Sequence, residues 1–582
     1  MTVVNGQTSE FKVKDVPIEN QRPLKVVVIG AGFSGILAAI RIPEKLRNID
    51  LVVYEKNEKV GGVWWLNRYP GLACDIPSHS YQYTFAPNPR WSNLYAPGRE
   101  IQQYLQGVAD RFGATRFIKT SHKVERCEWI ASEKKWKISV VNTVTGEKFE
   151  DTADILVPAR GQLNEVNWPD VPGLDKFKGK LLHSAEWDDD YDYRNKRVGV
   201  IGNGSSAIQI IPNLQKIEGI SVTCFMRSPT WISPAFGDNS MKKMGLDPKV
   251  TSFSEQQQEL FARDPEAYLK TRKVIENDGN SIHDSTMRGT AMQREFVESF
   301  RASMTAKLAG KKPELLKTII PSFSPGCRRL TPGMGFLEAL TEPNVEVVVD
   351  RVVEVTETGV RLASGREIEL DVLACATGFR VSAPPNFEVV GRDGLTLADR
   401  WARYPESYLS VAVDGFPNYL MMFGPNSAIG FGSLTKMFEG EIDYIVKVIR
   451  KMQKEDYATI EPRPERVADF SDYILEYFKS TVYTEECKSW YRSDGGNGDR
   501  IIGLWPGSTL HALEALRSPR WEDYVYESAD PSPNRLRWLG NGWSTTQTTG
   551  DASWYLNPNE VEIPVEGRPE DNAQYEARPW SH

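Results

Sequence analysis

The sequence is poor in the residues that build metal centres and disulfide frameworks: its 582 residues carry six histidines and six cysteines. Cys74, Cys127, Cys224, Cys327, Cys375 and Cys487 lie far apart, with no CxxC or CxxxxC pair. That spacing excludes a zinc ribbon and a sequence-local redox dithiol, and leaves the expectation of reduced, mostly buried thiols. His79, His122, His283 and His511 show no metal spacing, so no metal site is expected. Uninterrupted apolar runs of the roughly 20 residues needed by a membrane helix are missing. The first residues also lack the apolar core of a secretory signal, so a cytoplasmic location without membrane insertion is expected. A basic excess is absent too: the net charge is -8, with Lys and Arg scattered among acids. Nucleic-acid binding, which needs a concentrated basic face, is therefore excluded. What remains is a globular protein of several domains that acts on small molecules with soluble cofactors, as a monomer or weak homodimer.

What the sequence does contain is glycine at telling places. "LKVVVIGAGFSGILAAI" from Leu24 reads as a buried strand that breaks at glycine and resumes as an apolar helix. Gly30 permits the tight turn, Gly32 lets backbone amides approach a diphosphate, and Gly35 lets helix and strand pack closely. The diphosphate would sit at the helix N-terminus, where free N–H groups and the dipole favour negative charge. Pro43 is expected to end or kink that helix. "DLVVYEK" is the next strand and closes at Glu55, where a dinucleotide ribose needs a hydroxyl acceptor.

"KRVGVIGNGSSAIQIIP" repeats the design, with Gly202, Asn203, Gly204, Ser205 and Ser206 in the turn and Ala207 in the third small position. Its following strand ends in "CFMRSP", which puts Arg227 and Ser228 where the first unit has its acid. A carboxylate would repel a 2′-phosphate and a guanidinium would bind it, so this unit should select NADPH; the alternative is a solvated residue at a strand end. An acid after one loop and a base after the other predicts two dinucleotides in one α/β chain, most simply FAD and NADPH on two Rossmann-like domains.

Between the second unit and Cys327 the pattern turns to charged, helix-period segments, read as a helical insertion. Strands resume at "VEVVVDRVVEV" and "DVLACATGF". The expected order is FAD domain 1–160, NADP domain 161–233, helical insertion 234–327, NADP domain 328–380, FAD domain 381–558 and an extended tail 559–582.

"FKGKLLHSAEWD", from Phe177 to Asp188, resembles the signature of class I Baeyer–Villiger monooxygenases, with Phe177, Gly179, His183 and Trp187 in place. "GGVWWLNRYPGLACD", from Gly61 to Asp75, and "ATGF" at Ala376 to Phe379 are similar to further motifs of that family. The resemblance runs from about Leu24 to Asn557, and the loops "GLWPGSTLHALEAL" and "PRWEDY" look like its fungal branch. It implies reduction of FAD by NADPH, capture of O2 as a C4a-peroxyflavin and attack on a bulky or lipophilic ketone to give an ester or lactone. It also implies that Arg329 is the catalytic arginine, Asp75 the acid that orients it, Arg328 a contact of the NADP phosphate, and Trp490 a loop residue closing over the nicotinamide. Val63, Trp64, Trp65, Leu66, Asp75, Tyr81, Val124 and Leu434 are implied to contact FAD. Ala73, Cys74, Gln209 and Arg329 join the second glycine loop around NADP. A fixed cation there would keep an anionic oxidant unprotonated and stabilise the oxyanion of its adduct.

Several alternatives stay open at this level. Arg328 and Arg329 also read as a surface basic pair, and Trp490 as a core aromatic. His183 and Trp187 read as anchors of the crossing between the two halves rather than as catalysts. "VPARGQLN" around Arg160 departs from the family pattern and leaves the hinge open; "RRLTPGMGF" departs from it and opens the substrate range. The same scaffold also serves sulfide or amine oxygenation, or a flavoprotein whose chemistry has lapsed.

Overall fold

The uninterrupted apolar residues of Leu24–Ile29 and Ile155–Pro158 make strands buried on both faces, as a helix-covered parallel sheet requires. In this computed structural model, which describes residues 11–234, 237–247, 250–381, 384–530, 532 and 534–556, they form the first sheet. Its order is Ile118–Lys119, Ile49–Tyr54, Leu24–Ile29, Ile155–Pro158, all parallel. Helix Phe33–Lys45 packs on it through Ile36, Leu37 and Ile40. Pro43 sits in its last turn, so its missing N–H costs only a terminal bond, and the helix runs two residues beyond it before the Leu46 N–H bonds Ile42 O. The expected tail 559–582 lies outside the described residues.

The second glycine unit builds the second sheet, also all parallel, in the order Val345–Val348, Ser221–Phe225, Arg197–Ile201, Val372–Cys375, Lys180–His183. Thus "KLLH" of the signature stretch is its edge strand, with His183 opposite Cys375. The two chain crossings between the sheets run side by side: Val166 pairs with Phe379, Asn167 N–H donates to Gly378 O (2.9 Å) and Arg380 N–H donates to Glu165 O (2.9 Å). The fold is α/β with two Rossmann-like units.

Ile232–Ser233 and Thr331–Pro332 lie as a two-stranded parallel pair, so the chain leaves and re-enters at one place. Helices fill the interval. Glu255–Arg263 starts with a capping box of Ser254 and Gln257; Pro265–Ser281 starts with Asp264 as N-cap and Pro265 in its first turn; Ala291–Leu308 is capped by Thr290. An antiparallel ladder, His122–Ile130 with Lys135–Asn142 and Lys148–Ala153, is joined at the free edge of His122–Ile130 by the parallel strand Glu388–Val390.

The chain divides into two units, and Pro23–Met452 with Tyr457–Ala529 carries every residue of the site below. The other unit gathers residues before Pro23, Gln453–Asp456 and residues after Ala529; within it Lys14 pairs with Asp456 (2.7 Å) and Ile18 N–H bonds Trp543 O (2.9 Å). Among the described residues, no helix is long and apolar enough to cross a membrane and no group of three or more ligating side chains could hold a metal.

Candidate active site

The first glycine loop is sterically committed. Gly30 has φ +102°, and a Cβ there would stand 2.7 Å from Ala159 O; a Cβ on Gly35 would fall 1.8 Å from Gly30 O. Gly32 faces Gly62 across the space that a side chain would fill, with a Cβ on Gly32 only 3.6 Å from Gly62 Cα. The N-terminus of helix Phe33–Lys45 has neither a side-chain cap nor an acid in its first turn. Two glycine turns and free N–H groups make a cradle fitted to a diphosphate. Glu55 is buried, accepting from Ala31 N–H (2.7 Å), Asn57 N–H (2.8 Å) and the Asn57 amide (2.6 Å). Burial raises its pKa. With three bonds taken, its carboxylate has room for one hydroxyl donor.

Val63, Trp64, Leu66, Tyr81, Val124 and Leu434 all line one cavity of ≈ 1840 Å³, together with Glu55, Asp75 and the first-loop residues Gly30 and Gly32. Trp64 Nε1–H donates to Tyr81 Oη (3.1 Å), which fixes both rings. Trp65 does not line the cavity, and Arg68 and Lys59 lie over its ring at 4.8 and 5.9 Å.

The same cavity is bounded on its other side by Gly202, Asn203, Gly204, Ser205, Ser206 and Gln209. Gly202 has φ +123° and a Cβ would meet Ala376 O at 2.4 Å, whereas Gly204 has nothing within 4 Å of that position. Gly202 is thus held by the fold, and Gly204 leaves open space for a ligand. Ala207 is fully buried at the close approach of helix and strand. Asn203 ties the loop to the strand end by donating to Ser228 O, and the Ser205 and Thr331 hydroxyls bond at 2.6 Å. Gln209 reaches into the other half: its amide donates to Ala73 O (3.0 Å) and its Oε1 accepts from Ala73 N–H (3.4 Å) and the Tyr69 hydroxyl (3.2 Å). Ala73 and Cys74 consequently border the cavity; burial keeps the Cys74 thiol protonated by raising its pKa.

Arg227 is exposed and makes no ion pair among the described residues. Arg328 uses Nη2 on Ser228 Oγ (3.3 Å), Nη1 on Pro229 O (3.0 Å) and Nε on Lys488 O (2.5 Å). Burial and the positive neighbours Arg227 and Arg328 depress Lys488, and burial and Arg227 depress Arg328. This basic cluster lines the cavity beside the second loop, as a 2′-phosphate would require. Lys488 was not legible in the sequence, since its loop carries no periodic pattern. Arg227→Ala is expected to raise the KM for NADPH by about 10- to 100-fold, the value of one charged hydrogen bond. NADH kinetics should barely move, and an equal loss with both cofactors would remove the contact.

Arg329 and Asp75 meet between the loops. Nε donates to Oδ2 at 2.9 Å and Nη2 to Oδ1 at 2.6 Å, a bidentate fork that fixes the guanidinium plane. The carboxylate raises the pKa of Arg329 well above its ordinary value, overcoming burial, so the cation is permanent. Its side chain is 34% exposed and lines the cavity. Tyr491, also absent from the sequence reading, packs against it as a phenol raised by burial. Trp490 lines the cavity and also packs on the first hydrophobic core, 4.5 Å from the Tyr491 ring.

The cysteine expectation is corrected for one pair: Cys327 and Cys487, 160 positions apart, form a disulfide. Spacing cannot reveal it because folding, not local sequence, brings the two segments together. The other four are free and buried. His183 is fully buried; Nδ1 accepts from Ala185 N–H (3.1 Å), the ring meets Trp168 and Phe379 edge-on, and burial lowers its pKa to about 4. Trp187 is buried and stacked on Tyr193. Both are packed structure at the crossing, with His183 neutral.

Two glycine-loop halves facing one cavity, with an acid after the first and a basic cluster after the second, define a flavoprotein that holds two dinucleotides. Residues 23–256 match the family described as flavin-binding monooxygenase-like. The chain is 37% identical to the FAD-binding monooxygenase tazF of Aspergillus terreus, covering 95% of this chain and 98% of that one. It is 35% identical to a Baeyer–Villiger monooxygenase of Streptomyces coelicolor, over 88% and 94% of the two chains. Its fold is similar to a structure of cyclohexanone monooxygenase from Rhodococcus sp. Phi1 bound to NADP+, with a TM-score of 0.74 and 26% identity over 87% and 100% of the chains. The chain belongs to the Baeyer–Villiger type of FAD-binding monooxygenases, enzymes that use FAD and NADPH.

Proposed function

We propose that the protein inserts one oxygen atom of O2 beside the carbonyl of a bulky, lipophilic ketone: ketone + NADPH + H+ + O2 gives ester or lactone + NADP+ + H2O. The observation that carries this reading is the Arg329–Asp75 fork set in the wall of a cavity that both glycine loops border. FAD, held by Gly30, Gly32, Glu55 and the Val63–Leu66 turn, supplies the reductive activation of O2. The remaining work belongs to the chain. Arg329 places a fixed positive charge where negative charge develops on the transferred oxygen and on the substrate carbonyl, and Asp75 keeps its plane from turning. A fixed cation also disfavours protonation of an anionic oxidant beside it, which would otherwise be lost as hydrogen peroxide.

Ile275, Ile282, Phe296, Phe431 and Phe438 give the cavity an apolar stretch of lining, beside the carboxylates Glu276 and Asp278. Such a wall favours burial of a large carbon skeleton and excludes water. Incubation with ketone and sulfide pairs under 18O2 tests the reading. Ester or lactone carrying one 18O, formed in preference to sulfoxide, is the expected result; sulfoxide without any ester would overturn it in favour of heteroatom oxygenation.

A further inference from the structure

We infer that the Cys327–Cys487 disulfide is a thiol–disulfide exchange site whose state sets how tightly the Trp490 loop holds NADP. Two stretches far apart in sequence are fastened at consecutive points. Ser324 binds the Glu485 carboxylate through its N–H (2.6 Å) and hydroxyl (2.8 Å), Cys327 is joined to Cys487, and Arg328 Nε donates to Lys488 O (2.5 Å). At the far end, Tyr491 lies on Arg329. The disulfide is the covalent rung of this ladder.

What it fastens matters because the fastened loop has little structure of its own. Residues 485–492 fall between the short turns Val482–Thr484 and Ser493–Gly496, outside any helix or strand, and the second turn contains Asp494 and Gly495 in left-handed conformations. Lys488 and Trp490 nevertheless line the cavity, the first beside Arg227 and Arg328. The loop's own backbone bonds are isolated ones, with Tyr491 O accepting from Ile502 N–H (2.8 Å) and Gly503 N–H (3.1 Å) and Ser489 N–H donating to Gly496 O (3.1 Å), and a loop so held opens at lower cost than a helix or sheet unless tied. Breaking the covalent rung leaves Lys488 and Trp490 held by the polar contacts and by the packing of Trp490 and Tyr491 on the core, so part of the NADP binding energy goes into ordering the loop.

The pair is also placed for exchange. Cys327 is 0% exposed and Cys487 8%, between exposed Glu486 and Lys488, so both are buried and Cys487, the less covered of the two, is the one that opening of the loop presents to an incoming thiolate. A dithiol of the thioredoxin class supplies both electrons. Its thiolate bonds Cys487 Sγ, the S–S bond breaks and Cys327 leaves as a thiolate that takes up a proton. The second thiol of the reductant then displaces Cys487, leaving two protein thiols and an oxidised reductant.

Linkage makes this testable without oxygenation turnover. If reduction weakens NADP+ binding by some factor, NADP+ must protect the disulfide from reduction by the same factor, here about tenfold. The inference rests on the cavity being the NADP cleft, not on the ketone reaction. In the FAD-loaded protein, NADP+ binding is measured by calorimetry before and after dithiothreitol, and the disulfide equilibrium is titrated by mass spectrometry of alkylated thiols with and without NADP+. The expected result is matched shifts in both, with Cys487→Ser binding NADP+ like the reduced protein and insensitive to dithiothreitol. Equal affinity in the two redox states, a disulfide equilibrium indifferent to NADP+, or no disulfide after air or glutathione oxidation would each overturn it. Should Cys487→Ser fail to take up FAD, the titrations on the unaltered chain still decide. Loss of ester formation with the linked shifts intact would sink the ketone reading alone.

Discussion

Arg329→Ala is expected to lower ester or lactone formation by on the order of 10²- to 10³-fold, the usual effect of removing one preorganised charge or donor from developing negative charge. NADPH consumption should continue, with the electrons appearing as hydrogen peroxide. The separation arises because the second glycine loop and its basic cluster make no bond to Arg329, whereas the fork to Asp75 places its charge between the two loops. Arg329→Lys keeps a charge but cannot form a two-point fork, so it should recover only part of the yield. Parallel assays of NADPH oxidation, peroxide and product decide the matter. Normal product yield from Arg329→Ala would take the residue out of the mechanism. Asp75→Asn, which leaves the guanidinium in place with a weaker and uncharged partner, should fall between the two arginine variants.

The parts of this molecule that could be read from sequence are those where a residue type answers a local demand. Gly30 and Gly202 adopt positive φ immediately after a buried strand, and Gly35 stands where no side chain fits, so the loops announce themselves within a few residues. Glu55 directly follows the strand Ile49–Tyr54, and Arg227 follows Ser221–Phe225 one residue later, after Met226. The inserted helices are equally local: Ser254, Asp264 and Thr290 cap helices whose polarity repeats with the helical period. What escaped is set by folding over distance. Arg329 and Asp75 are 254 positions apart, and residues alone do not pair them; the family resemblance did. Cys327 and Cys487 show no such pattern, Lys488 reaches the cavity from an irregular loop, and Tyr491 of the same loop meets Arg329. Trp64 lines the cavity and Trp65 does not, since neighbours in a single turn point in different directions and a motif does not say which faces inward.

The two glycine loops differ in what their glycines are for, and substitution should separate them. Gly35→Val would push its Cβ to 1.8 Å from Gly30 O, a backbone atom that cannot move without breaking the turn that puts Gly30 at φ +102°. Both the packing of helix Phe33–Lys45 on the first sheet and the cradle for FAD are lost together. The expected outcome is protein with little or no flavin absorbance and a markedly lowered melting temperature, in keeping with overpacking costs of about 1–3 kcal/mol or more in a core. Gly204→Ala is different: its φ is −85°, which any residue adopts, and the added Cβ meets nothing within 4 Å. The fold and flavin content should be unchanged, while the methyl group occupies the approach of the NADP diphosphate to the helix N-terminus and raises the KM for NADPH by about tenfold or more. Flavin content, thermal midpoint and NADPH kinetics of the two variants test the contrast. Loss of flavin from Gly204→Ala, or full flavin retention in Gly35→Val, would reverse the assignment of the first loop to FAD and the second to NADP.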